Sequence, residues 1–140
     1  MRSLLMLLAV AACTPSTSAP ARSEAASARA ASPAAVAYGA GACTQAPKQA
    51  DVIAAKGAHK AATRFFERGD WDDAIRCWAD AYSFDCTAHD LLVNIANAQE
   101  KKGDRAGALG TLEAYLRHKP SAEVAERVRK LDKELSESKR

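Results

Sequence analysis

The sequence predicts an all-α protein: a small solenoid of two helical hairpins with a C-terminal capping helix, placed behind an export signal and a disordered tether. Three observations carry that reading. The 140-residue chain is rich in alanine and has only 6% aromatic residues, a composition that suits helix better than sheet. It opens on a single cation followed by a short apolar run that ends in a cysteine. Its second half repeats glycine, aspartate and alanine positions at a spacing of 34 residues.

At the N-terminus, Met1, Arg2 and Ser3 precede Leu4, Leu5, Met6, Leu7, Leu8, Ala9, Val10, Ala11, Ala12 and then Cys13. One cation before so short a run is the layout of a secretory leader, too short for a membrane span. Val10-Ala11-Ala12-Cys13 resembles the bacterial lipobox: an aliphatic residue, two small ones, then the cysteine that receives diacylglycerol. The resemblance implies that residues 1–12 are removed and that Cys13 becomes the acylated first residue. Two or three acyl chains make a stable anchor where one would be marginal. No cofactor beyond this covalent lipid is expected. Thr14 stands where an aspartate would signal inner-membrane retention, which points to the outer membrane, facing the periplasm.

Residues 13–46 are dominated by Ala, Ser, Thr and Pro, with Val36 and Tyr38 the only sizeable apolar side chains before Cys43. Such a segment cannot bury enough apolar area to offset its ordering entropy. Pro15, Pro20 and Pro33 interrupt any long helix there. A flexible coil of this length spans roughly 30 Å on average and about 100 Å stretched, so it holds the following domain near a membrane without orienting it.

The domain is expected over 47–136, with a disordered tail at 137–140. Pro47 suits a first helical turn, so the first helix is placed at about Pro47 to Arg68. Gly69-Asp70 with Ala74-Ile75 returns as Gly103-Asp104 with Ala108-Leu109, and Ala62 returns as Ala96. The glycines sit where a helix must stop, because glycine enters the left-handed region at no steric cost. The aspartates then cap the next helix. Ala74 and Ala108 allow two antiparallel helices to cross closely, and Trp78 and Leu112 fill the space beside the crossing. Thr87 with Asp90 reads as a capping box for the helix carrying Leu91, Leu92 and Ile95. Ser121 caps a last helix whose Val124, Val128, Leu131 and Leu135 form one stripe, fit to cover the open face of the second hairpin.

These residues resemble the tetratricopeptide repeat family over about 55–88 and 89–122, with the capping helix at about 121–136. Gly69-Asp70-Trp71-Asp72-Asp73-Ala74-Ile75 is similar to the family's most typical segment. Three residues depart from the pattern: Cys86 stands for a proline, Gln99 for a large aromatic and Tyr115 for a small residue. The resemblance implies that the first helix of each repeat lines a concave, protein-binding face. Lys56, His59, Thr63 and Phe66 would face it from the first repeat, and Asp90, Val93, Asn97 and Glu100 from the second. The lysine and asparagine clamp of chaperone-binding members is not reproduced, because His59 and Thr63 replace its first pair.

Candidate chemistry is thin. A net charge of +3 with interspersed signs is no nucleic-acid footprint. With Cys13 acylated, Cys43, Cys77 and Cys86 remain. Antiparallel helices bring Cys43 and Cys86 towards each other, which makes a Cys43–Cys86 disulfide the preferred pairing. A Cys77–Cys86 bond competes, although nine helical residues separate Cα atoms by about 13 Å, and three free thiols are the third alternative. Cys86 with His89 could form a metal pair or a thiolate–imidazole dyad, but no second pair completes a metal site and no third group orients the histidine. His59 and His118 read as exposed helix residues. The expectation is therefore no enzyme and no metal, but a lipid-anchored adaptor for another envelope protein or peptide segment. The alternative is a self-associating structural lipoprotein, and the least favoured reading is a thiol- or metal-dependent enzyme at Cys86 and His89.

Overall fold

The computed structural model describes residues 46–140, and over them it is all-helical: α1 (Gln49–Arg68), α2 (Trp71–Phe84), α3 (Asp90–Lys102), α4 (Arg105–His118) and α5 (Ala122–Glu137). No strand occurs among the described residues. The expected leader, the acylated Cys13, Cys43 and all of the expected tether except Ala46 lie outside them. No described helix is long and apolar enough to cross a membrane. Each helix packs on its predecessor in the chain.

The two tight turns are copies of each other, 34 residues apart. Gly69 has φ +83° and Gly103 φ +91°, conformations a side chain would strain. Asp70 N–H donates to the Phe65 carbonyl at 2.9 Å, and Asp104 N–H to the Gln99 carbonyl at 2.8 Å, which closes both helix ends in the same way. Asp70 and Asp104 share nearly one backbone conformation, φ −80°, ψ 67° and φ −82°, ψ 70°.

Their side chains differ. Asp104 accepts the Gly107 N–H at 2.9 Å, as a cap should, whereas Asp70 makes no cap bond and pairs with Arg68 Nε at 3.1 Å. The two sites also differ three residues on. A Cβ at Gly107 would collide with the Asp104 carboxylate where it now lies, and the equivalent position one repeat earlier is Asp73, which carries a side chain and pairs with Arg76.

Of three other helix ends, two lie within two residues of the expected bounds and the start of α3 is corrected. α1 begins at Gln49, with Pro47 outside it, because the Asp51 carboxylate accepts the Lys48 N–H at 3.0 Å and fixes the start there. Thr87 and Asp90 form no capping box. Asp85 Oδ1 takes the Thr87 N–H at 3.1 Å and its hydroxyl at 2.6 Å, an Asx-type turn that uses up both groups, and His89 becomes the residue that opens α3. α5 runs to Glu137, one residue into the expected tail, with the Ser138 N–H bonded to the Glu134 carbonyl. Ser121 does cap α5, accepting the Val124 N–H at 3.3 Å.

The core forms in two parts. Ala62, Phe65, Ala74, Cys77, Trp78, Ala81, Leu92 and Ile95 are among the side chains that join α1 to α4, while Ala96, Ala108 and Leu112 meet Leu131 and the flanks of Val124 and Val128 from α5. Ala62, Ala74, Ala96 and Ala108 are all fully buried, so the helices cross where the recurring alanines stand. Of α5 only Leu131 is buried. It is the most thinly docked element.

Gln99 and Thr111 are the polar exception in this core. The Thr111 hydroxyl lies 2.8 Å from Gln99 Oε1 and 3.0 Å from the Gly107 carbonyl, and Gln99 Nε2 is buried without a partner. One hydroxyl proton cannot serve two acceptors. Turning the amide over lets Gln99 donate to Thr111 and Thr111 donate to Gly107. Either way one buried amide atom stays unsatisfied.

Candidate functional site

α1, α3 and α5 together border a trough. Phe66 of α1, Asn97, Glu100 and Lys101 of α3 and Arg127 of α5 line one cavity of about 440 Å³. Asp90, Val93, Tyr115, Val124, Arg127 and Lys130 contribute to a second, of about 580 Å³. Arg127 also borders a third, of about 440 Å³, beside Glu100, Leu131 and Glu134. Arg127 is the residue common to these three cavities.

Arg127 is held by α3. Its Nε donates to Glu100 Oε1 at 2.9 Å, and its Nη2 donates to Asn97 Oδ1 at 2.6 Å and lies 2.8 Å from Glu100 Oε1. Both charged side chains are about two-thirds buried, at 30% and 32% exposure. A forked, charge-assisted contact in such partial shelter is stronger and more directional than an exposed ion pair.

The eight residues expected on the concave face separate into groups. Phe66, Asn97 and Glu100 share the first cavity, and Asp90 and Val93 the second. Lys56, His59 and Thr63 line neither. The Thr63 hydroxyl turns back to the His59 carbonyl at 3.1 Å. His59 Nδ1 accepts the Trp78 indole N–H at 3.0 Å, which leaves the proton of the neutral ring on Nε2. Phe66 packs edge-on to Trp71, with centroids 5.0 Å apart, and against Trp78 at 5.5 Å, so it serves the core of the first hairpin as well as the trough. Asp90 accepts from Lys119 Nζ at 2.9 Å and, at a long 3.4 Å, from the Tyr115 hydroxyl.

No protein-family model matches the chain, and no curated protein is significantly similar to it.

Sequence reasoning missed Arg127 and Lys101. A cue for Arg127 was present: it falls between Val124, Val128 and Leu131 on the stripe that α5 turns inward, where an unmatched charge requires a partner. Lys101 carries no such mark.

A second cluster joins the corner between the hairpins. The His89 and His118 rings stack at 4.4 Å and 9°, so His118 is half-buried and partnered, not an exposed helix residue. The Tyr82 hydroxyl lies 3.2 Å from His89 Nδ1. Burial lowers the His89 pKa below the ordinary imidazole value, and His118 and Lys119 lower it further, against the opposing pull of Asp90 and Asp85. Burial also raises the Tyr82 phenol, and the Asp90 carboxylate raises Lys119. Cys77 and Cys86 are both disulfide-bonded, leaving no free thiol among the described residues. The alternative of three free thiols is corrected for these two, Cys43 of the preferred Cys43–Cys86 pairing lies outside the described residues, and Cys86 offers His89 no thiolate. Among the described residues no group of three or more His, Cys, Asp or Glu side chains is placed to hold a metal ion.

Proposed function

We propose that this chain is a lipid-anchored cell-envelope protein whose tetratricopeptide-like hairpins bind another envelope protein along the trough of α1, α3 and α5. Its role is that of an adaptor, and the reading assigns it no chemistry of its own. The observation that carries it is the recurrence, 34 residues apart, of one turn geometry: Gly69-Asp70 and Gly103-Asp104 hold the same backbone conformation and the same closing hydrogen bonds. Recurring turns place the first helix of each hairpin on one side, and stacked units of this kind offer that side to extended partners. Phe66, Asn97, Glu100 and Lys101 give the trough an apolar flank beside polar and charged groups, the mixture typical of non-obligate interfaces. The anchor rests on Val10-Ala11-Ala12-Cys13, with the outer membrane facing the periplasm as its site.

Affinity capture of the full chain from membranes tests both halves. A stoichiometric partner should be recovered with the natural chain and lost on Lys101→Glu, which changes an exposed trough residue without touching the core. Equal recovery with Lys101→Glu, or no partner above background, rejects the trough. Labelled palmitate should enter the chain and not its Cys13→Ala variant; labelling of both rejects the anchor.

A further inference from the structure

We propose that the outward side of α1 docks on an anionic phospholipid surface, the leaflet that holds the acyl chains, and so orients the domain there. The inference goes beyond the trough, and it uses the proposed anchor only to bring a lipid surface within reach. Ile53, Lys56, Lys60 and Arg64 follow one face of α1 at steps of three and four residues, and all four are exposed. Ala55, Ala62 and Phe65 are buried on the other side. Between Val52 and Phe66 the helix carries no carboxylate, because Asp51 and Glu67 stand at its two ends.

Charge and reach select the occupant. None of Lys56, Lys60 and Arg64 is ion-paired among the described residues, and no other described helix has more than one unpaired Lys or Arg. Each Lys or Arg near an anionic bilayer adds roughly fivefold to binding, an attraction that fades within a Debye length. Ile53, 63% exposed, ends the row with an apolar side chain suited to the headgroup boundary. The row borders none of the three cavities, so it offers the flank of a helix to a plane of headgroups and no pocket to a peptide. The chain also enters α1 at its Ile53 end. Residues 14–45 join Cys13 to Ala46 and reach at most roughly 100 Å, and a surface held that near is occupied even when the contact alone is weak. Phe66 is not in the row, so docking leaves the α1 residue of the trough clear.

The test mixes the full chain with vesicles of equal parts phosphatidylglycerol and phosphatidylcholine, or of phosphatidylcholine alone. It follows how fast a water-soluble amine-reactive ester modifies each lysine. On the anionic vesicles Lys56 and Lys60 should react at least about fivefold more slowly than on the neutral ones. Lys101 and Lys130, on other helices, should react alike on both, and high salt should restore the rates on α1. Lys60→Gln/Arg64→Gln, two exposed changes checked for retained helix by circular dichroism, should remove the protection of Lys56. Ile53→Ser should reduce that protection, and it decides the matter should the double variant lose helix. Equal rates for Lys56 and Lys60 on both vesicles, or equal slowing of all four lysines, overturns the proposal. So does protection that survives unchanged in the folded variants. Protection of Lys56 and Lys60 by a captured protein, and by neither vesicle, assigns the face to a protein and overturns it as well. The readout needs neither acylation nor a partner: failed palmitate labelling rejects the anchor, and a silent Lys101→Glu rejects the trough, without deciding the footprint.

Discussion

Gln99 and Thr111 occupy the positions that Phe65 and Cys77 hold one repeat earlier, and the exchange of an apolar pair for a polar one has a measurable consequence. Thr111→Val deprives the buried Gln99 amide of its one protein partner and should cost about 1–3 kcal/mol in chemical denaturation. Adding Gln99→Leu removes the stranded amide and should recover most of that loss. A double variant less stable than Thr111→Val would show that the amide is satisfied in some other way. The cap at α4 is a second residue-scale case. Asp104→Ala should destabilise by about 0.5–2 kcal/mol, and Asp70→Ala by less, since Asp70 bonds Arg68 and no helix amide. In a Gly107→Ala background, where the new Cβ already displaces the Asp104 carboxylate, the Asp104→Ala cost should nearly vanish. An undiminished cost would mean that Asp104 acts through charge and not through its bond to Gly107. The two aspartates look equivalent in the sequence. Their surroundings differ by a glycine three residues later, a difference legible only when the two repeats are aligned.

Among the elements, the corner where His89 opens α3 and His118 closes α4 should respond to acid. The folded state holds the His89 pKa below its unfolded value, so it binds a proton less readily than the unfolded chain does. The resulting stability is present above the ordinary imidazole pKa, near 6.5, and is lost as pH falls from there through the lowered value. The melting temperature should drop over that window, and His89→Asn should flatten the drop; an unchanged pH profile in His89→Asn would place the effect elsewhere. Helix existence and order were legible because glycine stops, recurring alanines and apolar stripes are local signals. The start of α3 was not. Asp85 outcompeted Thr87 for the same backbone amide, a contest between neighbours that spacing alone does not decide. The histidine stack was equally hidden, since 29 residues separate its members and only the packing of α4 on α3 brings them together.

At the scale of the whole molecule, the sequence periodicity indicated which helices would share a side but not how far that side stays open. Phe66, Asn97 and Glu100 were legible as trough residues from their repeat positions. Lys56, His59 and Thr63 were placed on the same face by the same reasoning, yet line neither cavity: the exposed His59 accepts the Trp78 indole N–H, and Thr63 bonds its own helix. Arg127 escaped because it belongs to α5, outside the repeats that defined the face. The central claim is that this trough is the working surface of the protein. The most direct measurement replaces Lys101, on the trough, and Glu113, exposed on α4, each with a photo-crosslinking residue in the full chain and irradiates intact cells. A single discrete adduct from position 101 and none from 113 is the result expected here; matching adducts from both positions, or an adduct from 113 alone, would contradict it.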